Sequence, residues 1–109
     1  MKITIKSTNF ELTPKLRSYI QEKMDMLDKY YQGLIIARVE VEHTTTHHKQ
    51  GKLNRAEVNL DTTHHGVVRV EKTAEDMEKA IDKVKDHLKR ILSDLNKKEI
   101  DRHRRPKRK

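Results

Sequence analysis

The sequence contains no cysteine and no long hydrophobic run. Without cysteine, disulfide bonds, thiol nucleophiles and zinc–thiolate sites are excluded, and a reducing compartment is the simplest expectation. The longest apolar run, 34–37, is far shorter than the ~20 residues that cross a bilayer. The first six residues alternate in polarity and lack the apolar block of a signal peptide. We therefore expect a soluble, cytoplasmic protein that does not bind a membrane.

Apolar residues are also scarce. They make up 33% of the 109 residues, against roughly 45–50% in an ordinary globular domain. Leu, Ile, Val and Phe together contribute 23%, just above the ~20% below which a highly charged chain is expected to be disordered. The length and this composition predict one domain that folds around a small core.

The net charge of +8 is unevenly distributed. Residues 96–109 contain eight basic and two acidic residues, whereas the first 95 residues are close to neutral. A segment this basic repels itself and is typical of an arm that binds a polyanion. We predict a folded domain over residues 1–100 and a basic, disordered tail over 101–109. The alternative is a tail that only improves solubility.

The first third of the chain predicts a strand and a helix. Ile3 and Ile5 alternate with polar residues over Lys2–Lys6, which favours a strand. Thr13 before Pro14 is typical of a helix N-terminus, and Gly33 is typical of a C-cap. Between them, apolar residues recur at helical spacing, and the helix is expected to run to Tyr31: Leu16, Tyr19, Ile20, Met24, Leu27 and Tyr31.

Three strands are predicted next, over 34–46, 53–62 and 67–72. The links contain Gly51 and Gly66, which favours antiparallel hairpins. Alternation in each strand predicts one inward face, and the inward sets are Ile35, Ala37, Val39 and Val41; Ala56, Val58 and Leu60; Val68 and Val70. One solvent-exposed face per strand is typical of an antiparallel sheet that packs against other elements on its opposite face.

The last helix has the clearest periodicity. We expect Thr73 as its N-cap, with Asp76 completing a weak capping box. An apolar stripe follows at three- and four-residue spacing: Met77, Ala80, Ile81, Val84, Leu88, Ile91, Leu92 and Leu95. The element order β-α-β-β-β-α predicts an α+β fold, a four-stranded sheet with two helices packed on one face.

The residues give little support for an enzyme. There is no glycine-rich phosphate loop and no recognisable Ser-His-Asp arrangement, and most carboxylates alternate with Lys and Arg on exposed faces. A hidden pair of catalytic carboxylates is the remaining enzyme alternative. We expect no catalysis, no cofactor and no small-molecule substrate.

Seven histidines raise the question of a metal site. His43, His47 and His48 precede the third strand, and His64 and His65 follow it. A strand of about nine residues separates the two groups by roughly 30 Å, which argues against a joint site. A weak site made by the first group alone is the alternative, but solvated loop histidines are the favoured interpretation.

A nucleic acid is the natural partner of the basic residues. Proteins that read single strands stack bases on aromatic side chains, and this chain has one Phe and three Tyr, none in a predicted strand. The composition therefore favours structured RNA or DNA that is recognised by phosphate contacts and shape. The alternative is a general binder of structured or double-stranded RNA.

Cations on both helices are available for such contacts. Lys79, Lys83, Arg90 and Lys97 lie within about 40° of one another around the last helix, opposite its apolar stripe. Asp86 and Asp94 share that side, so an ordinary solvated face is the alternative. On the first helix, Arg17 and Lys23 border the apolar stripe, where their stems can lie along the core between the helices.

Two segments of the chain resemble a known family. The run 74–82, followed by 88–92, resembles the helix signature of the ribosome hibernation promoting factors, also called ribosome-associated inhibitors. The opening strand, the segment 11–17 and Lys23 resemble the start of that family as well. The order and length of the elements fit it from residue 1 to about residue 98.

The resemblance implies a fold similar to double-stranded-RNA-binding domains and a specific site of action. Members occupy the decoding channel of the small ribosomal subunit, where they exclude messenger RNA and the A- and P-site transfer RNAs. They inhibit translation in stationary phase or stress, without chemistry. The implied partners are 16S-type ribosomal RNA, whole ribosomes and a factor that pairs ribosomes. Long members carry a second domain, so this chain resembles a short member or the N-terminal domain of a long one.

The residues expected to face ribosomal RNA follow from the same resemblance. The positions that match the family are Arg17, Lys23, Arg90 and Lys98, and nearby cations extend the set to Lys79, Lys83, Lys89 and Lys97. Two positions depart from the family pattern, because His87 and Asp94 stand where a basic residue is usual. The tail from Arg102 to Lys109 is expected to compensate, and its residues in the expected RNA-binding set are Arg102, Arg104 and Arg105.

Overall fold

The computed structural model describes residues 1–45 and 52–104. Its elements follow the predicted order, with a short 3-10 helix after the first helix. They are β1 (Lys2–Thr8), α1 (Pro14–Asp25), the 3-10 helix (Met26–Lys29), β2 (Leu34–Thr45), β3 (Lys52–Thr62), β4 (Val67–Ala74) and α2 (Met77–Arg104).

The four strands form one mixed sheet in the order β1-β2-β3-β4. Strand β2 pairs antiparallel with β3, and β3 with β4, as the short links predict. Strand β1, however, runs parallel to β2, with Ile3 opposite Ala37. The helix between β1 and β2 carries the chain back to the end of the sheet where β1 began, and such a crossover produces parallel pairing.

Both helices pack on one face of the sheet, and the predicted inward sets form the core except at Ile35. That side chain is 50% exposed. The pairing of β2 with β3 shifts register between Leu34 and Ile36, and such an irregularity adds a residue and interrupts the alternation of the faces. Leu34 consequently packs against the core, and the prediction for Ile35 is wrong.

The end of the first helix also differs from the prediction. The α-helix ends at Asp25, and the 3-10 helix continues the chain, which still buries Leu27 and Tyr31. Gly33 is not the left-handed cap of this helix. Its carbonyl accepts a hydrogen bond from the Thr63 backbone N–H at 2.9 Å, and a Cβ atom on Gly33 would lie 2.3 Å from the Thr63 hydroxyl oxygen. Glycine is required there for close approach of two segments.

The predicted N-cap residue is confirmed for α1 and is wrong for α2. Thr13 caps α1 as predicted, because its hydroxyl accepts a hydrogen bond from the Leu16 N–H at 3.2 Å. In α2 the cap is Asp76, whose carboxylate accepts from the Lys79 N–H at 2.9 Å. Thr73 cannot be the cap because β4 extends through it, paired with Arg55 of β3.

Helix α2 continues to Arg104, past the predicted domain boundary at residue 100. Its 28 residues correspond to a length of about 42 Å at 1.5 Å per residue. Residues 105–109 of the expected tail, together with Thr46 and Gly51, lie outside the described residues. The division into a domain and a disordered tail stays a prediction.

Candidate nucleic-acid interface

The outer face of the sheet, opposite the helices, arranges its charges in rows. Glu40, Glu57 and Glu71 stand directly opposite one another across β2, β3 and β4. Like charges in such positions repel. On either side of this row the strands place arginines, with Arg38 and Arg69 in one flanking row and Arg55 in the other.

These arginines form ion pairs with the acidic row and its neighbours. Arg55 reaches Glu42 at 3.0 Å, Glu57 at 2.7 Å and Glu71 at 2.6 Å. Arg69 also pairs with Glu57, and the hydrogen bond from Arg69 holds the pKa of Glu57 below its ordinary value. The outer face is therefore highly charged, but its arginines are already engaged by carboxylates.

Arg38 completes the outer face with a two-pronged contact to Asp61. The two nitrogen–oxygen distances are 2.9 and 2.7 Å. This fork geometry is the one that guanidinium groups use for carboxylates and phosphates alike. Because Asp61 occupies this fork, a phosphate that used it would have to displace the carboxylate.

The cations on the exposed side of α2, unlike the arginines of the outer face, are mostly not paired with carboxylates of the described residues. The helix contains nine basic and six acidic residues, and its predicted cations lie on the surface. Lys79, Arg90, Lys97 and Lys98 are exposed and form no ion pair with another described residue. Lys83 is exposed too, and its ammonium group donates to the Thr73 carbonyl at 3.2 Å. This side therefore presents cations that phosphate groups could approach.

The two α1 cations that are expected to face RNA differ in their partners. Arg17 is exposed and makes no ion pair within the described part of the chain. Lys23 lies between the helices, as predicted, with its nitrogen 3.9 Å from Asp82 of α2 and 5.1 Å from the Tyr19 ring centre. The Tyr19 hydroxyl also donates to Asp82 at 2.6 Å, which raises the pKa of Tyr19. Asp82 thus joins α1 to α2 and partly neutralises Lys23.

Lys89 and Arg90 lie at a shallow surface groove of α2. Asp86, Ser93 and Asp94 line it with them. The Lys89 nitrogen lies 5.3 Å from the Tyr30 ring centre, within the range of a cation–π contact. This contact positions the ammonium group next to the segment that follows α1.

His87 does not substitute for the basic residue that the family resemblance implies at this position. Its Nδ1 atom is buried and has no hydrogen-bond partner in the part of the chain that the structure describes. Burial lowers the pKa of His87, and the charges of Lys72 and Arg90 lower it further. The ring is therefore neutral at pH 7, and this position adds no cation to the interface.

A cluster of three side chains fastens the distal part of α2, and sequence analysis missed it. The Tyr31 hydroxyl donates to the Glu99 carboxylate at 2.6 Å, and His65 Nε2 lies 2.7 Å from the same oxygen. Burial, followed by the bond to Glu99, raises the pKa of Tyr31 to about 12. These residues are 34 to 68 positions apart, so no local pattern could have revealed the contact.

Two sequence-based expectations concern the histidines and the tail. His65 is partly buried and bonded rather than simply solvated, while His43 Nδ1 lies 3.0 Å from the Asn54 amide oxygen. Among the described residues no group of three potential ligands could hold a metal ion; His47 and His48 are outside them. The backbones of Arg102 and Arg104 belong to α2, and Arg105 lies beyond the described range.

The sequence has no apolar run long enough to cross a bilayer, and the helices of the structure can be compared with the same requirement. Within residues 1–45 and 52–104, no helix has the length and apolar character needed to span a membrane.

Comparison with protein families matches residues 3–99 to the family described as Sigma 54 modulation protein / S30EA ribosomal protein. A ribosome hibernation promotion factor from Deinococcus radiodurans is 37% identical over 84 residues, which cover 77% of this chain and 43% of that protein. The chloroplastic ribosome-binding factor PSRP1 of Spinacia oleracea is 30% identical over 107 residues, covering 95% of this chain and 35% of that protein. The chain thus spans less than half the length of either relative.

Solved structures agree with the fold. The N-terminal domain of Thermus thermophilus Protein Y superposes with a TM-score of 0.73 at 32% identity, covering 87% of this chain and 99% of that domain. A ribosomal subunit interface protein from Coxiella burnetii gives a TM-score of 0.69 at 15% identity, covering 87% of this chain and 97% of that one. The first likeness confirms the α+β architecture predicted from the sequence, and the second supports the fold alone.

Proposed function

The chain belongs to the Sigma 54 modulation protein / S30EA ribosomal protein family, and from this premise we propose that it is a ribosome hibernation factor. It binds 16S-type ribosomal RNA in the decoding channel of the small subunit. There it excludes messenger RNA and the A- and P-site transfer RNAs, and so inhibits translation during stress or stationary phase. The family match over residues 3–99 is the observation that carries this proposal.

The names of the two relatives support ribosomes as the partner, since one is a ribosome hibernation promotion factor and the other a ribosome-binding factor. The proposal places this chain in whichever compartment holds its ribosomes, the cytoplasm in a bacterium. Small subunits, whole ribosomes and a ribosome-pairing factor are the partners we propose. Inhibition by occupancy needs no cofactor and no catalytic residue.

The charges of the described residues support the helical side as the RNA-binding surface. Arg17, Arg90 and Lys97 are exposed without an acidic partner there, whereas Arg38 and Arg55 of the outer face are held by carboxylates. Phosphate binding requires cations that can exchange small counterions for phosphates. Cations already committed to carboxylates would first have to give up those bonds, so the outer face is the weaker candidate.

The length of α2 fits a blocking role. A rigid helix of about 42 Å that carries cations from Lys79 to Lys98 can follow a groove in folded RNA over several phosphates. Its distal part is held by Tyr31 and His65 through Glu99. The helix would therefore keep its direction when it lies against the RNA.

Co-sedimentation with purified small subunits tests the proposal. We expect the chain to pellet with subunits at moderate salt and to reduce the binding of messenger RNA and initiator transfer RNA to them. A chain that stays in the supernatant contradicts the proposal, as does a bound chain that leaves both RNAs unaffected. Excess plain duplex RNA serves as competitor, because it would strip a general RNA binder but leave a ribosome-specific one in place.

A matched pair of variants locates the interface. Arg90→Ala removes from α2 an exposed guanidinium that forms no ion pair with another described residue, and Arg38→Ala removes from the outer face a guanidinium that is paired with Asp61. We expect Arg90→Ala to weaken subunit binding several-fold and Arg38→Ala to have little effect, with both variants folded by circular dichroism. Equal effects of the two substitutions would contradict binding through the helical side.

A further inference from the structure

The exposed side of α2 alternates in the sign of its charges. We call this strip the α2 ridge; its members lie within about 80° around the helix axis at 100° per residue, and they are Lys79, Lys83, Asp86, Arg90, Asp94 and Lys97. The Asp86 side chain is 69% exposed, and Lys85, at 3.4 Å, is its one ion-pair partner among the described residues. Asp94 is exposed and forms no ion pair with another described residue. Both carboxylates therefore face whatever approaches the ridge.

The carboxylates lie between the cations along the helix. Lys83, Arg90 and Lys97 are seven residues apart, which corresponds to an axial spacing of about 10.5 Å. Asp86 lies between the first two, and Asp94 lies between the last two, at axial offsets of about 4.5–6 Å from each neighbour. Asp86 and Asp94 also line the groove that contains Arg90.

This spacing affects regular and irregular RNA differently. A duplex carries phosphates at dense, uniform intervals along its backbone. A strand that contacts successive cations of the ridge must therefore bring further phosphates close to Asp86 and Asp94, where like charges repel. Folded RNA, whose backbone segments converge at irregular distances, can place phosphates at the cations and leave gaps at the carboxylates.

We propose that Asp86 and Asp94 are specificity-determining residues, which weaken the binding of uniform duplex RNA while leaving the binding of folded ribosomal RNA largely intact. The inference rests on the proposed function and deepens it, because it explains how a basic protein could avoid the many duplexes in a cell. It also gives a role to a carboxylate, Asp94, at a position where the family resemblance implies a basic residue.

The test measures two affinities for each variant. Asp86→Asn and Asp94→Asn remove one negative charge each and keep the shape of the side chain. The probes are purified small subunits and a duplex RNA of about 20 base pairs, longer than the ~16 that a duplex-binding domain spans. One unit charge about 6 Å from a phosphate in water predicts roughly threefold tighter duplex binding per substitution at low salt. We expect subunit affinity to change less than about 1.5-fold, since the carboxylates would face gaps between phosphates.

Glu40→Gln is the matched control, since it makes the same charge change on the outer face. Glu40 is 4.0 Å from Lys6 and is separated from the α2 ridge by the sheet and the core, beyond a Debye length of about 8–10 Å. We expect this variant to bind duplex RNA as the unaltered chain does. If Glu40→Gln increased the affinity for duplex RNA as much as the ridge variants do, the inference would be overturned. The change in net charge alone would then explain the tighter binding.

The remaining outcomes separate the inference from the proposed function. Unchanged duplex affinity in both ridge variants overturns the inference, and so do equal gains for duplex and subunits, because the carboxylates would then lack selectivity. Either result leaves ribosome binding by the unaltered chain in place. If the unaltered chain itself does not bind subunits, the proposed function fails and the inference fails with it.

Discussion

Replacing Glu57 by glutamine tests whether the outer face of the sheet is stabilised by its own ion pairs. The Glu57 side chain is only 9% exposed and accepts hydrogen bonds from Arg55 at 2.7 Å and from Arg69. Asn59 donates to it as well, at 3.4 Å. Glutamine keeps the shape and one acceptor oxygen, but its amide NH₂ group would face guanidinium donors and leave them without an acceptor.

The expected loss of stability depends on which carboxylate acceptors each arginine retains after the substitution. A hydrogen bond to a charged group contributes about 1.5–3 kcal/mol to stability. Arg55 keeps Glu42 and Glu71, and Arg69 is 57% exposed and keeps Glu71. Both facts reduce the loss, and removal of the Glu57 charge also relieves its repulsion with the adjacent glutamates. We expect Glu57→Gln to lower the free energy of unfolding by about 2 kcal/mol at pH 7, which is roughly 8–16 °C in Tm.

The loss should depend on pH in a defined direction. The bond from Arg69 holds the folded-state pKa of Glu57 below its ordinary value, so the carboxylate contributes stability above its unfolded pKa of about 4.3. That contribution disappears as the pH falls through the folded pKa. The difference in the free energy of unfolding between the unaltered chain and Glu57→Gln should therefore be constant from about pH 7 to 5. It should become smaller below about pH 4.

Urea denaturation of both chains across this pH range is the assay, with Glu40→Gln as the control. Glu40 belongs to the same row, but its partner Lys6 is 76% exposed and 4.0 Å away, so its loss should cost less than about 0.5 kcal/mol. The reasoning is refuted if Glu57→Gln costs no more than Glu40→Gln. A loss that stays the same on acidification refutes it equally, because the cause would then be packing rather than charge.

Three further predictions concern the core, the distal end of α2 and the tail. Leu88→Ala should lower the free energy of unfolding by about 3 kcal/mol in urea denaturation, because Leu88 is fully buried; a loss below about 1 kcal/mol would contradict its core position. Tyr31→Phe keeps the ring but loses the bond to Glu99, so hydrogen exchange should accelerate near residue 99, and unchanged exchange would refute an anchoring role. With about six phosphate contacts, subunit affinity should fall roughly a thousandfold between 50 and 200 mM salt. Deleting 102–109 should flatten this dependence, whereas an unchanged slope would show that the tail makes no phosphate contact.

Periodicity in the sequence was sufficient to predict the layers of the fold. Val58 and Leu60 alternate with polar residues, and Ile81 and Leu88 recur at helical spacing. Each period is a geometric property of a single strand or helix, so it can be recognised without knowing what lies across the core. The two hairpins were predictable for the same reason, because a short link forces neighbouring strands to be antiparallel.

Details that depend on contact between distant segments were not predictable. Ile35 belongs to an apolar run, yet the irregular pairing of β2 with β3 exposes it. Gly33 follows a helix, yet its constraint is the approach of Thr63. Thr73 has the right chemistry for a helix cap, but the partner strand keeps it in β4. In each case a neighbour far along the chain overrides a local preference.

For the candidate interface, too, some properties follow from the sequence and others only from the tertiary structure. The sequence alone determined how many cations the chain has, which of them share a side of α2, and which family it resembles. Only the tertiary structure decided which cations are available: it pairs Arg55 with three carboxylates, places Lys23 beside Asp82 and buries part of His87. The physical reason is that a residue's charge is fixed by its type, whereas the electrostatic partners and solvent exposure that determine its use depend on segments brought together by folding.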